Sequence, residues 1–137
     1  DYPAHLHSRI RVAAFLKPLS EYIAAADAVV ARAGATTIAE IGSQKKPLII
    51  VPNPYLSGGH QLKNAQIYED KKAAIVIGEH QALKDPKLLS DAINRVISSP
   101  DEAENMAGRL YGMVQKDSAD KISELLVRVA RKRRRDT

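Results

Sequence analysis

Cysteine and tryptophan are absent from this 137-residue chain, phenylalanine occurs once, and aromatic residues make up only 4% of it. Without cysteine there is no disulfide framework, no thiolate nucleophile and no cysteine zinc site. No apolar run approaches the roughly 18–20 residues of a membrane span; the longest are short segments such as Leu48-Ile49-Ile50-Val51. The start, Asp1-Tyr2-Pro3-Ala4-His5, has neither the basic opening nor the apolar stretch of a signal peptide, and it lacks a Met. The chain is therefore expected to be a piece of a longer polypeptide, or processed. No Asp-x-Asp pair occurs, so no metal site is expected, and no glycine-rich loop follows a first strand.

What is present is ordinary for a folded domain, with 45% hydrophobic and 27% charged residues in a length that can bury a core by itself. Residues 1–137 are read as one domain, of which residues 118–137 form a C-terminal helix with a basic tail. The net charge of +5 is concentrated there, in Arg128, Arg131, Lys132, Arg133, Arg134 and Arg135. Such a cluster suits a solvated helix end, where cations complement the macrodipole, or an anionic membrane surface. With no aromatic near the tail there is no base-stacking platform, and nucleic acid is not expected as a partner.

Short apolar runs alternate with segments of helical period, the pattern of βαβ units around a parallel sheet. The fold class expected is α/β, a Rossmann-like parallel sheet with flanking helices. Four strands are predicted, over residues 9–16, 28–31, 47–51 and 73–77. The third is continuously apolar, which implies burial on both faces. Helices are predicted over residues 18–25, 35–44 and 60–70, with Ile38, Ala39 and Ile41 facing the sheet, and a loop over residues 53–59. Three further helices follow, over residues 86–98, 101–115 and 118–134. In the last, Ile122, Leu125, Leu126, Val129 and Ala130 recur at three and four residues and predict one buried stripe.

Two motifs follow strands and so belong to the same carboxyl edge of a parallel sheet, where ligands bind in such folds. The first is Ala33-Gly34-Ala35-Thr36-Thr37-Ile38-Ala39-Glu40. Gly34 permits a tight strand-to-helix turn, Ala35 keeps bulk away, and the amides of Ala35, Thr36 and Thr37 at a helix start form an anion site suited to a diphosphate. Glu40, one turn further in, can accept hydrogen bonds from two ribose hydroxyls. The second is Pro52-Asn53-Pro54-Tyr55-Leu56-Ser57-Gly58-Gly59-His60-Gln61-Leu62-Lys63-Asn64-Ala65. Its glycines let backbone approach a ligand, and Gln61 offers both donor and acceptor to sugar hydroxyls, with His60 beside it. Taken singly, each motif also fits a capped helix with exposed polar residues.

In this order, with Ala26-Asp27, Arg32, Pro47 and Asn64-Ala65 around them, the motifs resemble the C-terminal, donor-binding domain of the bacterial cell-wall N-acetylglucosaminyltransferase family, GT-B enzymes that convert lipid I to lipid II. The resemblance is close over residues 11–74 and looser beyond. It implies a metal-independent, inverting transfer of N-acetylglucosamine from its uridine diphosphate donor to a lipid-linked acceptor in peptidoglycan synthesis, without a cofactor, in the cytoplasm and peripheral to the inner face of the membrane. It implies that Phe15 and Leu16 border the uracil, that Thr36 and Thr37 face the diphosphate, that Glu40 meets the ribose, and that Gln61, with His60, meets the sugar. The family's upstream strand with its glycine-rich loop, its catalytic base and its acceptor loops do not occur in this sequence. The chain is thus expected to be inactive alone and completed by an N-terminal domain or a partner subunit. Other readings left open are a lipid glycosyltransferase of the same architecture, a sugar-nucleotide epimerase, for which only His60 among His5, His7, His60 and His80 is suitably placed, and a noncatalytic donor-binding subunit.

Overall fold

Leu48, Ile49 and Ile50 are all 0% exposed, and the rest of the fold is arranged around them. A computed structural model of the chain describes residues 3–55, 60–114 and 117–133. The three residues form β2 (Leu48–Ile50), the central strand of a parallel sheet in the order β1-β2-β3. Strand β1 (Val29–Ala31) pairs with it in the register Val29–Leu48, Val30–Ile49 and Ala31–Ile50, and β3 (Ile75–Val76) in the register Ile49–Ile75 and Ile50–Val76. Alternation along β2 sends Leu48 and Ile50 into one core and Ile49 into another, as expected for a strand covered on both faces.

A short 3-10 turn (Ala4–Leu6) precedes α1 (Leu19–Ala25), α2 (Ala35–Ser43), α3 (His60–Asp70), α4 (Glu79–Lys84), α5 (Lys87–Ser98), α6 (Pro100–Met113) and α7 (Ser118–Arg133). The first core joins Ile23 of α1, Ile38 and Ile41 of α2, Ala65 of α3 and Leu110 of α6 to Leu48 and Ile50. The second joins Ala92 and Val96 of α5 and Met106 of α6 to Ile49 and Ile77. Helix α6 contributes to both.

Three expectations are corrected, and one helix is added to those predicted. Residues 9–16 form no strand: among the described residues nothing pairs with the outer edge of β1, so the sheet has three strands, not four. Ala39 is exposed, because the buried face of α2 is Ile38, Ile41 and Gly42, the set a period of 3.6 selects. Helix α4 falls between two predicted elements and is too short to show a periodicity. The apolar stripe of α7, finally, is exposed: Ile122, Leu125, Leu126 and Val129 are each about half exposed or more, and none belongs to either core. No helix among the described residues is long and apolar enough to cross a membrane.

Candidate donor site

Because the three strands are parallel, the residues that leave them, Arg32 after β1, Val51 after β2 and Ile77 after β3, emerge on one edge. The Val51 amide donates to the Ala31 carbonyl (2.9 Å) and the Ile77 amide to the Ile50 carbonyl (2.9 Å), which extends the ladder one step past each strand end. Onto this edge opens α2. Gly34 is its N-cap, with φ −78° and ψ 124°, and the Ile38 amide donates to the Gly34 carbonyl at 2.9 Å. By helix geometry the amides of Ala35, Thr36 and Thr37 then have no acceptor within the helix, and no side chain caps them. Their donors and the dipole favour a negative group at this point.

The structure changes the reason for a glycine at position 34. Its φ and ψ are available to any residue, and a Cβ there would meet only Thr37 Oγ1 at 3.8 Å, an ordinary contact. The missing side chain instead leaves the approach to the helix start open. Ala33 before it is buried, Thr37 is half-buried, and Ala35 and Thr36 face solvent. Glu40 is half-buried in the second turn, its carbonyl accepting the Ser43 hydroxyl at 2.8 Å.

On the second loop, the Asn53 side chain accepts from the Tyr55 amide at 2.8 Å, a local turn that bends the chain directly after β2. The Asn53 amide in turn donates to Gln61 Oε1 at 3.1 Å. With its oxygen held by the loop, the half-buried Gln61 keeps its side-chain N–H groups as the donors it can offer outward. His60 begins α3, but its side chain and residues 56–59, which include Ser57, Gly58 and Gly59, lie outside the described residues.

Phe15 and Leu16 lie in the irregular segment before α1. Phe15 is 74% exposed, with the Lys17 ammonium 5.4 Å from its ring centre, and so is not a core residue; Leu16 is half-buried. Two residues for which the sequence suggests no role also stand at the edge. Arg32 Nη1 donates to the Val51 carbonyl at 3.2 Å, and its Nη2 pairs with the Glu79 carboxylate. Glu79 opens α4, an element with no periodic signal, and nothing in the sequence ties it to Arg32. Among the described residues no group of acidic, histidine or cysteine side chains is arranged to hold a metal.

Residues 3–125 match the family described as the glycosyltransferase family 28 C-terminal domain. A UDP-N-acetylglucosamine--N-acetylmuramyl-(pentapeptide) pyrophosphoryl-undecaprenol N-acetylglucosamine transferase of Sorangium cellulosum is 36% identical over 92% of this chain and 31% of its own length. The corresponding transferase of Bacillus subtilis is 37% identical over 82% of the chain and 30% of its own length. The crystal structure of Acinetobacter baumannii MurG superposes with a TM-score of 0.73 and 23% identity, covering 86% of this chain and 33% of that one, which shows the shared fold. The chain thus spans under a third of the length of these two curated relatives. A parallel sheet whose carboxyl edge carries an open helix start, matched over residues 3–125, places the chain in the glycosyltransferase family 28 C-terminal domain family.

Proposed function

We propose that this chain is the donor-binding half of an inverting UDP-N-acetylglucosamine-dependent transferase that passes N-acetylglucosamine to a lipid-linked acceptor in peptidoglycan synthesis. The observation that carries the proposal is the uncapped start of α2, which follows β1 directly at the carboxyl edge of the parallel sheet, the edge that the loop after β2 also leaves. The free amides of Ala35, Thr36 and Thr37 receive the diphosphate. As the bond from the anomeric carbon to the diphosphate oxygen breaks, negative charge accumulates on the leaving group, and preorganised donors stabilise it without reorganisation. Glu40 accepts from the ribose hydroxyls, and the Gln61 amide donates to the sugar. Phe15, exposed and preceding Leu16, supplies a face against which the base rests. The relatives extend well beyond the matched region, and we assign the acceptor hydroxyl and the base that deprotonates it to that remainder.

The reading is tested by isothermal titration with uridine diphosphate. Loss of a hydrogen bond to a charged group costs about 1.5–3 kcal/mol, so Glu40→Ala is expected to weaken binding at least about tenfold. A protein that takes up no uridine diphosphate, or a Glu40→Ala variant that binds as tightly as the parent, overturns it.

A lipid-linked acceptor requires work at a membrane surface, and we assign that contact to α7. Its exposed stripe of Ile122, Leu125, Leu126 and Val129 lies on a helix that also bears Lys121, Arg128 and Arg131. An apolar stripe and cations on one unpacked helix are what an interfacial helix presents to anionic lipid.

A further inference from the structure

The guanidinium of Arg32 joins three loops that are separate in sequence. It donates through Nη1 to the Val51 carbonyl at 3.2 Å and pairs through Nη2 with the carboxylate of Glu79, the first residue of α4. Val51 is thereby held from both sides, since its own amide already donates to the Ala31 carbonyl at 2.9 Å. Two residues later the Asn53 amide meets Gln61 Oε1 at 3.1 Å. A continuous set of bonds thus runs from Glu79 through Arg32 and Val51 to the loop that orients Gln61.

We propose that Arg32 and Glu79 are positioning residues that clasp the loop after β2 against the start of α2 and so set the spacing between the diphosphate and sugar ends of the donor site. The consequence for donor binding rests on the function proposed above; the clasp itself does not. A cation beside an open helix start invites another role, direct contact with the diphosphate, but the Arg32 fork is committed to a carbonyl and a carboxylate of the protein, and its charge is compensated by Glu79. The planar fork is what permits two acceptors in different loops to be held at once, a task that the single ammonium of a lysine does not perform. The side chains of Arg32 and Glu79 are 49% and 20% exposed, so the pair adds little to global stability; its effect is on where the loop sits.

The two roles predict opposite signs. If Arg32 is a strut, Arg32→Ala and Glu79→Ala each release the loop, each weaken binding of uridine diphosphate N-acetylglucosamine by about tenfold while changing that of uridine diphosphate, which lacks the sugar, much less, and the double variant is no worse than either single one. Glu79→Gln, which keeps an acceptor for Nη2, stays within about twofold of the parent, while Arg32→Lys behaves like Arg32→Ala. If Arg32 is a diphosphate ligand, Glu79→Ala frees the cation and tightens binding, which overturns the proposal. A second measurement needs no ligand: in the 15N-labelled protein, the Asn53 amide resonance is expected to shift in both Arg32→Ala and Glu79→Ala, with unchanged far-ultraviolet circular dichroism. An Asn53 resonance that stays in place in both variants also overturns the clasp. Should the parent bind no uridine diphosphate, the donor reading fails while the Asn53 resonance still decides the clasp.

Discussion

At Gly42, α2 passes so close to α6 that a Cβ would stand 2.5 Å from Val114 Cγ2 and 3.1 Å from Leu110 Cγ. Leu110 is fully buried, and Gly42 lies on the same face of α2 as Ile38 and Ile41, so the contact has little room to relax. Alanine in a helix interior is better than glycine by about 1 kcal/mol, whereas overpacking a core costs about 1–3 kcal/mol. Gly42→Ala is therefore expected to lower the thermal midpoint. Gly108, inside α6, separates the two effects, since a Cβ there meets nothing within 4 Å. Gly108→Ala is expected to raise stability by about 0.5–1 kcal/mol, a few degrees in thermal midpoint. Equal shifts of one sign in the two variants, read by calorimetry, would show that close packing does not govern Gly42.

Helices α5 and α6 are joined at their adjacent ends by Arg95 and Glu102. Arg95 Nε donates to Glu102 Oε2 at 3.1 Å and its Nη2 bonds the other carboxylate oxygen. The hydrogen bond from Arg95 holds the Glu102 carboxyl below the usual glutamate range, against an opposing effect of desolvation, and the same contact raises Arg95. A carboxyl with a depressed folded-state value stabilises the fold fully above its ordinary value and loses that contribution as pH falls through the depressed one. Glu102→Gln is expected to flatten the acid side of a plot of thermal midpoint against pH, and because the pair is exposed, high salt is expected to narrow the difference. Superimposable acid limbs would remove the pair from any role in joining the two helices. Elements differed in how far they were legible before the fold was known. Strand β2 was legible because a run apolar at every position is buried on both faces wherever it pairs, and α2 because its turn and period coincide. Residues 9–16 carry an apolar run without being a strand, because a run becomes a strand only where a neighbour supplies the ladder. The helix starts after β1 and β2 were legible as motifs, since Gly34 and the loop before Gln61 follow strand ends directly. The Arg32–Glu79 pair was not, because it depends on β1 and β3 lying on either side of β2, which no local pattern encodes.

For the whole molecule, the charge and the unpartnered apolar surface coincide on α7. The excess of basic residues lies in the last ten positions of the sequence, and α7, which reaches Arg133, carries exposed Ile122, Leu125, Leu126, Val127 and Val129. At 100° per residue, Ile122, Leu125, Leu126 and Val129 fall within one arc, with Lys121 and Arg128 along one border of it. The acidic pair Asp120 and Glu124 lies on the opposite side. A helix of this kind binds lipid by two additive contributions, apolar burial and attraction to anionic head groups at about 1 kcal/mol per basic residue near the surface. Sedimentation with liposomes separates them. The protein is expected to pellet with vesicles rich in phosphatidylglycerol and much less with zwitterionic ones, and added salt is expected to release it. A version ending at Val129 keeps the apolar arc but loses the basic tail, and is expected to bind anionic vesicles markedly more weakly. Leu125→Glu, in an exposed position where folding tolerates it, is expected to abolish binding while leaving uridine diphosphate titration unchanged. Equal sedimentation of the full chain and the version ending at Val129 would retire the basic tail as a membrane contact, and insensitivity to Leu125→Glu would retire the apolar arc.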